Sequence, residues 1–185
     1  MNIAFINMPI EFYSPISGGA VATIIMEVSR ALEAAGHRVT VLSRQTRDPQ
    51  YPVGAVLPLA VHSPEGLSKI RRRFTSLQRR LHRYDWFEYV SYRASFEKAL
   101  RTLQPAPDAV IVFNDLVSPK YIRRILPNAR IYSWLQNECR TNQRDLAPVV
   151  GAISAFFTCS GYIREWTSST HRIPLEKFTV LTSGI

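Results

Sequence analysis

Ala20-Val21-Ala22-Thr23-Ile24-Ile25-Met26-Glu27-Val28-Ser29-Arg30-Ala31-Leu32-Glu33-Ala34-Ala35-Gly36-His37-Arg38-Val39-Thr40-Val41-Leu42 is the stretch on which the fold class turns. Val21, Ile24, Ile25, Val28, Leu32 and Ala35 recur at steps of three and four, which predicts a helix over 20–35. Gly36 stands where a helix C-terminus favours glycine. Val39 to Leu42 follows at once as a short apolar strand. Upstream, Asn2 to Asn7 is another short apolar run, and Met8 to Gly19 is a loop rich in Pro, Ser and Gly. Strand, loop, helix and strand with a short return make a parallel βαβ unit.

The pattern continues to the end of the chain. Val53 to Val61 reads as a strand, irregular or at an edge because of Pro58. Gly66 to Leu103 reads as one long helix or two consecutive ones. Asp108 to Phe113 suits a strand buried on both faces. Ser118 to Leu126 is a short helix stopped by Pro127, Arg130 to Leu135 a strand, and Leu146 to Val150 a helical turn. Ala152 to Thr158 is a strand, Gly161 to Thr170 a helix and Phe178 to Leu181 a last strand. About seven strands with intervening helices predict a doubly wound, mostly parallel α/β domain. Without internal repeat or linker, the 185 residues read as a single domain.

Composition agrees. Hydrophobic residues are 46% and charged residues 20%, a globular balance that excludes a disordered tail or a fibre. No apolar run approaches the ~20 residues of a membrane-spanning helix, and the N-terminus has no basic segment ahead of an apolar one, as a signal peptide would. Cys139 and Cys159 are the two cysteines, too few for a disulfide scaffold, and reduced cytosolic thiols are expected. Twenty-three Lys and Arg against fourteen Asp and Glu leave a net charge of +9. Such a chain attracts nucleic acid, anionic lipid or phosphorylated small molecules, although basic residues also serve solubility alone.

Ligands of open parallel sheets bind at the carboxyl ends of the strands. Ser17-Gly18-Gly19 opens the first long helix, where glycine lets backbone N–H groups meet a phosphate; equally, these glycines could serve a loop that needs positive φ. The dinucleotide fingerprint and the P-loop are both absent, which disfavours a dehydrogenase or an NTPase. Asn114 and Asp115 follow one buried strand, and Gln136, Asn137 and Glu138 follow another, so they are candidates for a cleft in which Asp115 or Glu138 binds hydroxyl groups or accepts a proton. Asp115 can equally cap the next helix, and Ser160 before Gly161 is an N-cap at a ligand-facing end. His37, His62, His82 and His171 show no metal spacing, and no metal site is expected. From Lys69 to Tyr84, Ile70, Phe74, Leu77, Leu81 and Tyr84 form an apolar stripe with Lys69, Arg72, Arg73, Arg79, Arg80 and Arg83 on the other sides. Such a helix can lie on an anionic membrane or pack on its own domain with a solvated basic face. Too few aromatic residues interleave the cations for a nucleic-acid platform.

Ile3-Ala4-Phe5-Ile6, Ser17-Gly18-Gly19-Ala20-Val21 and Glu33-Ala34-Ala35-Gly36-His37-Arg38-Val39-Thr40-Val41-Leu42, taken in order, resemble the opening of family-four glycosyltransferases of the GT-B fold. Pro107-Asp108-Ala109-Val110-Ile111-Val112 resembles their central strand. Phe157-Thr158-Cys159-Ser160 and Ile173 to Ile185 resemble the run that ends in an Asn-Gly-Ile-Asp turn, with Ser183 in place of the Asn. The likeness covers most of the chain except about 45–104. It implies the N-terminal, acceptor-binding half of a two-domain enzyme, and the chain's stop at Thr182-Ser183-Gly184-Ile185 fits a domain boundary. It also implies a retaining hexosyltransferase with a nucleotide diphosphate sugar as donor, no cofactor, and a glycan, lipid-linked or other cell-envelope acceptor. Gly18 and Gly19 would approach the donor phosphates. Gln136 would take the place where many relatives carry a histidine facing the sugar; it can donate a hydrogen bond but cannot shuttle a proton. That departure keeps open a non-catalytic module that binds a glycan, a lipid or a protein. The expected location is the cytoplasm, at the inner face of the membrane if the basic stretch docks there.

Overall fold

The structure is a computed structural model that describes residues 1–61, 68–70, 73, 91–141 and 146–182. Among these, the strands are β1 (Asn2–Ile6), β2 (Arg38–Arg44), β3 (Ala55–Leu59), β4 (Ala109–Phe113), β5 (Arg130–Leu135), β6 (Ala155–Thr158) and β7 (Phe178–Val180). The helices are α1 (Ala20–Ala34), α2 (Tyr92–Thr102), α3 (Ser118–Ile125), α4 (Ala147–Ala152) and α5 (Gly161–His171), with a 3-10 turn at Leu175–Lys177. The seven strands form one sheet in the order β3-β2-β1-β4-β5-β6-β7, and every pairing is parallel. Each crossover therefore carries the chain back over a face of the sheet, as a doubly wound fold requires.

Both faces are covered, and for that reason the central strands are apolar throughout. All five residues of β4 are buried. On one face α1 lays Val21, Ala22, Ile25 and Met26 over Phe5, Val41, Ile111 and Phe113. On the other, Phe96, Leu100 and Ile122 of α2 and α3 pack on Ile6, Val110, Val112 and Ile131. Val149 and Ile163, from α4 and α5, extend that second layer over Leu135, Phe156 and Phe178. Stacked rings tie strand to strand: Phe113 on Trp134 with centroids 5.4 Å apart, and Tyr132 on Phe157 at 5.0 Å.

Helix α1 ends as its sequence predicts. Gly36 adopts φ +80°, its N–H donates to Glu33 O at 2.9 Å, and the His37 N–H donates to Leu32 O at 3.0 Å. This double closure needs a left-handed residue after the last turn, and glycine adopts it without strain. Among the described residues strand β3 is an edge strand paired with β2 alone, with Pro58 opposite Ser43. Two spans differ from expectation. The strand expected over 152–158 begins only at Ala155, because Ala152 closes α4 and the Ser154 hydroxyl accepts the Ile131 N–H that a ladder partner would have taken. The helical stretch expected over 66–103 is described as a helix element only for Tyr92–Thr102. Ser91 there has φ +71°, so no single helix runs through this point.

Candidate functional site

Strand order reverses between β1 and β4, so the loops leaving these strands open a crevice at the carboxyl edge of the sheet. The β1–α1 loop forms one wall. Ser43 Oγ holds it from β2, accepting from Asn7 Nδ2 at 3.2 Å and from the Tyr13 N–H at 3.1 Å. Tyr13 is buried and its hydroxyl donates to Val53 O at 2.9 Å, and burial pushes that phenol up to about 12. Ser14 organises the turn, its hydroxyl accepting from the Ile16 N–H at 3.1 Å and its carbonyl from the Gly18 N–H at 2.9 Å.

The two glycines of this loop prove to be places of close approach. Neither has positive φ; among the described glycines only Gly36 and Gly54 do. A Cβ on Gly18 would stand 2.2 Å from Ser14 O and 2.8 Å from Phe12 O. The requirement for glycine at 18 is thus steric and internal to the loop, and the Gly18 N–H faces Ser14 O. Gly19 is the N-cap of α1. The three atoms nearest to a Cβ there all belong to the Glu11 carboxylate, Oε1 at 2.6 Å. That carboxylate is the acceptor at the helix start, with Oε2 3.1 Å from the Ala22 N–H. An anion therefore already sits at the positive end of α1. Sequence reasoning missed Glu11, because it reaches its helix from eleven residues away and no capping motif marks it.

Asn114 forms the floor of the crevice. It holds φ +47°, and its Oδ1 accepts from the Gln136 N–H at 2.7 Å and the Asn137 N–H at 3.3 Å. Its Nδ2 lies 3.3 Å from Met8 Sδ. One side chain thus joins the ends of β1, β4 and β5, which accounts for its left-handed backbone. The Tyr92 hydroxyl donates to Asn7 O at 3.2 Å and fixes the start of α2 to the same floor; burial, reinforced by the nearby Asp115 charge, holds this phenol well above the ordinary range. Asp115 is buried and faces into the fold. Its Oδ1 accepts from the Val117 N–H at 2.7 Å and the Ser118 N–H at 2.8 Å, and Oδ2 takes the Ser118 hydroxyl. Capping of α3 accounts for these contacts.

Gln136 is half-buried with its backbone pinned by Asn114 on one side, while its carbonyl accepts from Cys159 Sγ at 3.3 Å. Its side-chain Nε2 is enclosed and has no hydrogen-bond partner among the described residues. An enclosed amide N–H without an acceptor costs free energy unless a ligand or water completes it. Asn137 and Glu138 are exposed beyond it. Glu138 Oε1 accepts from the Tyr162 hydroxyl at 2.5 Å, and this bond holds Tyr162 above the ordinary tyrosine range. Tyr162 is 61% exposed on the first turn of α5, a rim residue with no motif to announce it. Ser160 is the N-cap of that helix, accepting from the Ile163 N–H at 3.2 Å. His171 braces the rim from behind, its Nε2 2.8 Å from Cys139 O, so this nitrogen carries the proton.

Hydrogen bonds thus bring Asn114 together with Gln136 and Asn137, Glu138 and Ser160 stand at the start of α5, and Gly18 and Gly19 lie apart from them on the β1–α1 loop, against Ser14 and Glu11. Of the basic stretch, Lys69 and Arg73 are exposed, while Arg72, Arg79, Arg80 and Arg83 lie outside the described residues. A cavity of about 810 Å³ between Met1, Asp108 and Arg130 opens at the opposite, amino edge of the strands.

Comparison with known proteins follows from this geometry. The sequence model of the family described as Glycosyltransferase Family 4 matches residues 17–185. No curated protein matches the chain. Among solved structures, Arabidopsis thaliana UGT89C1 complexed with UDP is similar at 14% identity and TM-score 0.51, covering 100% of this chain and 49% of that one. The N-terminal domain of Candida albicans trehalose-6-phosphate phosphatase is similar at 12% identity and TM-score 0.56, with 100% and 48% coverage. LpCGTa in complex with UDP is similar at 10% identity and TM-score 0.50, with 100% and 54% coverage. At these identities the likeness is one of fold, and the chain spans about half the length of each.

Proposed function

The chain belongs to glycosyltransferase family 4, and from that premise we propose that it is the acceptor-side half of a retaining glycosyltransferase. A hexose would pass from a nucleotide diphosphate sugar to a glycan or lipid-linked cell-envelope acceptor lying in the crevice between β1 and β4. The observation that carries this reading is Gln136. Its Nε2 is enclosed and without a hydrogen-bond partner among the described residues, and its backbone N–H is fixed by the Asn114 side chain. A sugar hydroxyl is an acceptor of the right kind for it. Solved structures of similar fold that carry UDP support a nucleotide-sugar donor.

In this mechanism α1 points its positive end at the leaving diphosphate, and its first N–H groups have no intrahelical acceptor. Glu11 now occupies that place. Donor phosphates would have to displace its carboxylate or keep clear of it, so the Glu11 side chain acts as a movable stand-in for the anion. Gln136 orients the sugar without exchanging a proton. A second nucleotide-binding domain would supply the remaining donor contacts. The basic stretch 69–83 would hold the enzyme to the inner face of an anionic membrane, a reading that the exposure of Lys69 and Arg73 supports.

The test is sugar transfer by the complete protein. Gln136→Ala should lower kcat/KM by roughly 5- to 150-fold, the loss of about 1–3 kcal/mol of hydrogen bonding in the transition state. Unchanged transfer would mean that the crevice does not use this side chain. Gln136 also favours a second reading, a binding module without catalysis, since it lacks the proton chemistry of the histidine that the family resemblance leads one to expect. In that case glycan binding would persist with no turnover of any nucleotide sugar.

A further inference from the structure

Helices α2 and α3 run side by side on the face of the sheet opposite α1, and their outer seam opens a cleft of about 270 Å³ lined by Arg93, Glu97, Arg101, Tyr121, Arg124 and Ile125. Arg93, Glu97 and Arg101 stand at successive steps of four on α2, on one stripe of that helix. Three guanidinium groups therefore share the cleft with one carboxylate. Among the described residues Glu97 pairs with Arg93 alone, its Oε1 3.4 Å from Arg93 Nε. Arg101 and Arg124 are exposed and have no carboxylate partner among the described residues.

These arginines are also oriented. The Arg93 guanidinium lies over the Tyr121 ring at 4.6 Å from the centroid, and that of Arg124 at 5.8 Å from the same centroid. Stacking on one ring holds two planar forks at a common site and lowers the entropy lost when an anion binds them. The neighbouring Arg123 makes the contrast plain. Its guanidinium donates to Pro127 O, Ala129 O and Ala152 O, and so clasps the fold together. Among the described residues the cleft arginines make no such bonds to backbone carbonyls.

We propose that this cleft is a binding site for a phosphate group, held by Arg101 and Arg124 with Arg93 completing the ring of donors. A carboxylate offers two oxygens and satisfies one guanidinium fork, whereas a phosphate presents three or four and can take several forks at once. The volume lies below the ~300–1,000 Å³ of pockets that enclose a whole drug-sized ligand, so it suits a phosphate head group and leaves the rest of the ligand in solvent. The site is separate from the crevice, although its upper end adjoins it: Arg93 follows Tyr92, whose hydroxyl is bonded to Asn7 O on the crevice floor.

The ligand can be a soluble phosphate or the phosphate of a lipid head group, and one set of measurements separates the two. The side-chain Nε–H resonances of Arg93, Arg101 and Arg124 are followed while the 185-residue chain is titrated with inorganic phosphate, with sodium chloride of equal ionic strength as control. Saturable shifts confined to phosphate are expected. Arg101→Ser with Arg124→Ser should weaken binding about tenfold or more without lowering the melting temperature, since both side chains are exposed. Replacing both with Lys should weaken it less. Phosphatidylcholine vesicles with and without phosphatidic acid form the second arm. Loss of phosphatidic acid-dependent sedimentation in the Ser double variant identifies lipid as the source. Undiminished sedimentation together with lost phosphate shifts identifies a soluble phosphate, because the basic stretch 69–83 is intact in the variant. Shifts no larger than those in chloride, or phosphate binding by the double variant equal to that of the original chain, would overturn the proposal.

Discussion

Gly18 and Gly19 are adjacent, belong to one motif and do different things. At 18 an added Cβ would overlap two backbone carbonyl oxygens, 2.2 and 2.8 Å away; backbone cannot step aside without moving the whole loop. Gly18→Ala should therefore cost about 2 kcal/mol, which at roughly 2–4 °C per kcal/mol for a chain of this size lowers Tm by roughly 4–8 °C. At 19 the obstacle is the free end of the Glu11 side chain, which can swing away. Gly19→Ala should lose only the interaction of that carboxylate with the start of α1, about 0.3–1 kcal/mol. Calorimetric melting of the two variants checks the order, and equal melting temperatures would show that the loop at 18 yields as easily as a side chain does. Glycine at 18 is thus explained by packing before any ligand is considered, whereas the role of the loop toward a donor rests on the helix start that Glu11 covers.

Helix α3 shows how an element can depend on one buried carboxylate. Asp115 accepts two backbone N–H groups and the Ser118 hydroxyl where β4 passes into the helix. Removing it takes the side-chain acceptor away from two buried backbone N–H groups. Asp115→Ala should destabilise the chain by about 2–3 kcal/mol in urea unfolding, and Asp115→Asn by less, because the amide oxygen can still accept. Ser160→Ala, which removes one bond at the start of α5, should cost about 1 kcal/mol. A loss for Asp115→Ala no greater than that for Ser160→Ala would mean that α3 holds its position through Ile122 and Leu126 packing alone. The same two residues show why their roles divide at this scale. Both stand just past the carboxyl ends of strands, where ligands bind, and both also hold the first backbone N–H groups of the next helix.

At the scale of the molecule, the all-parallel sheet sets the carboxyl ends of its strands along one edge, where ligands of such sheets bind. The chain covers about half of each similar solved structure. If the acceptor-half reading holds, the 185-residue chain should bind UDP-sugars only weakly, with a Kd near 1 mM or above, or about −4 kcal/mol. Titration calorimetry checks this, and micromolar binding would place the donor site on this chain. What the sequence by itself determined is the architecture: period-four apolar positions in 20–35, the Gly36 stop and the unbroken apolar run 109–113 are each local signals, and local signals add up to a βαβ fold. The order of the motifs likewise pointed to the family, and Gln136 could be picked out as a candidate by its place after a strand. Only the tertiary structure decided what each candidate touches. Asn114 links three strand ends, Asp115 turns inward, Glu11 reaches α1, and Tyr162 meets Glu138. Arg93, Arg101 and Arg124 come together from two helices. The reason is physical: periodicity records which face of an element is apolar, whereas a polar side chain's partner depends on which distant segment the sheet brings beside it.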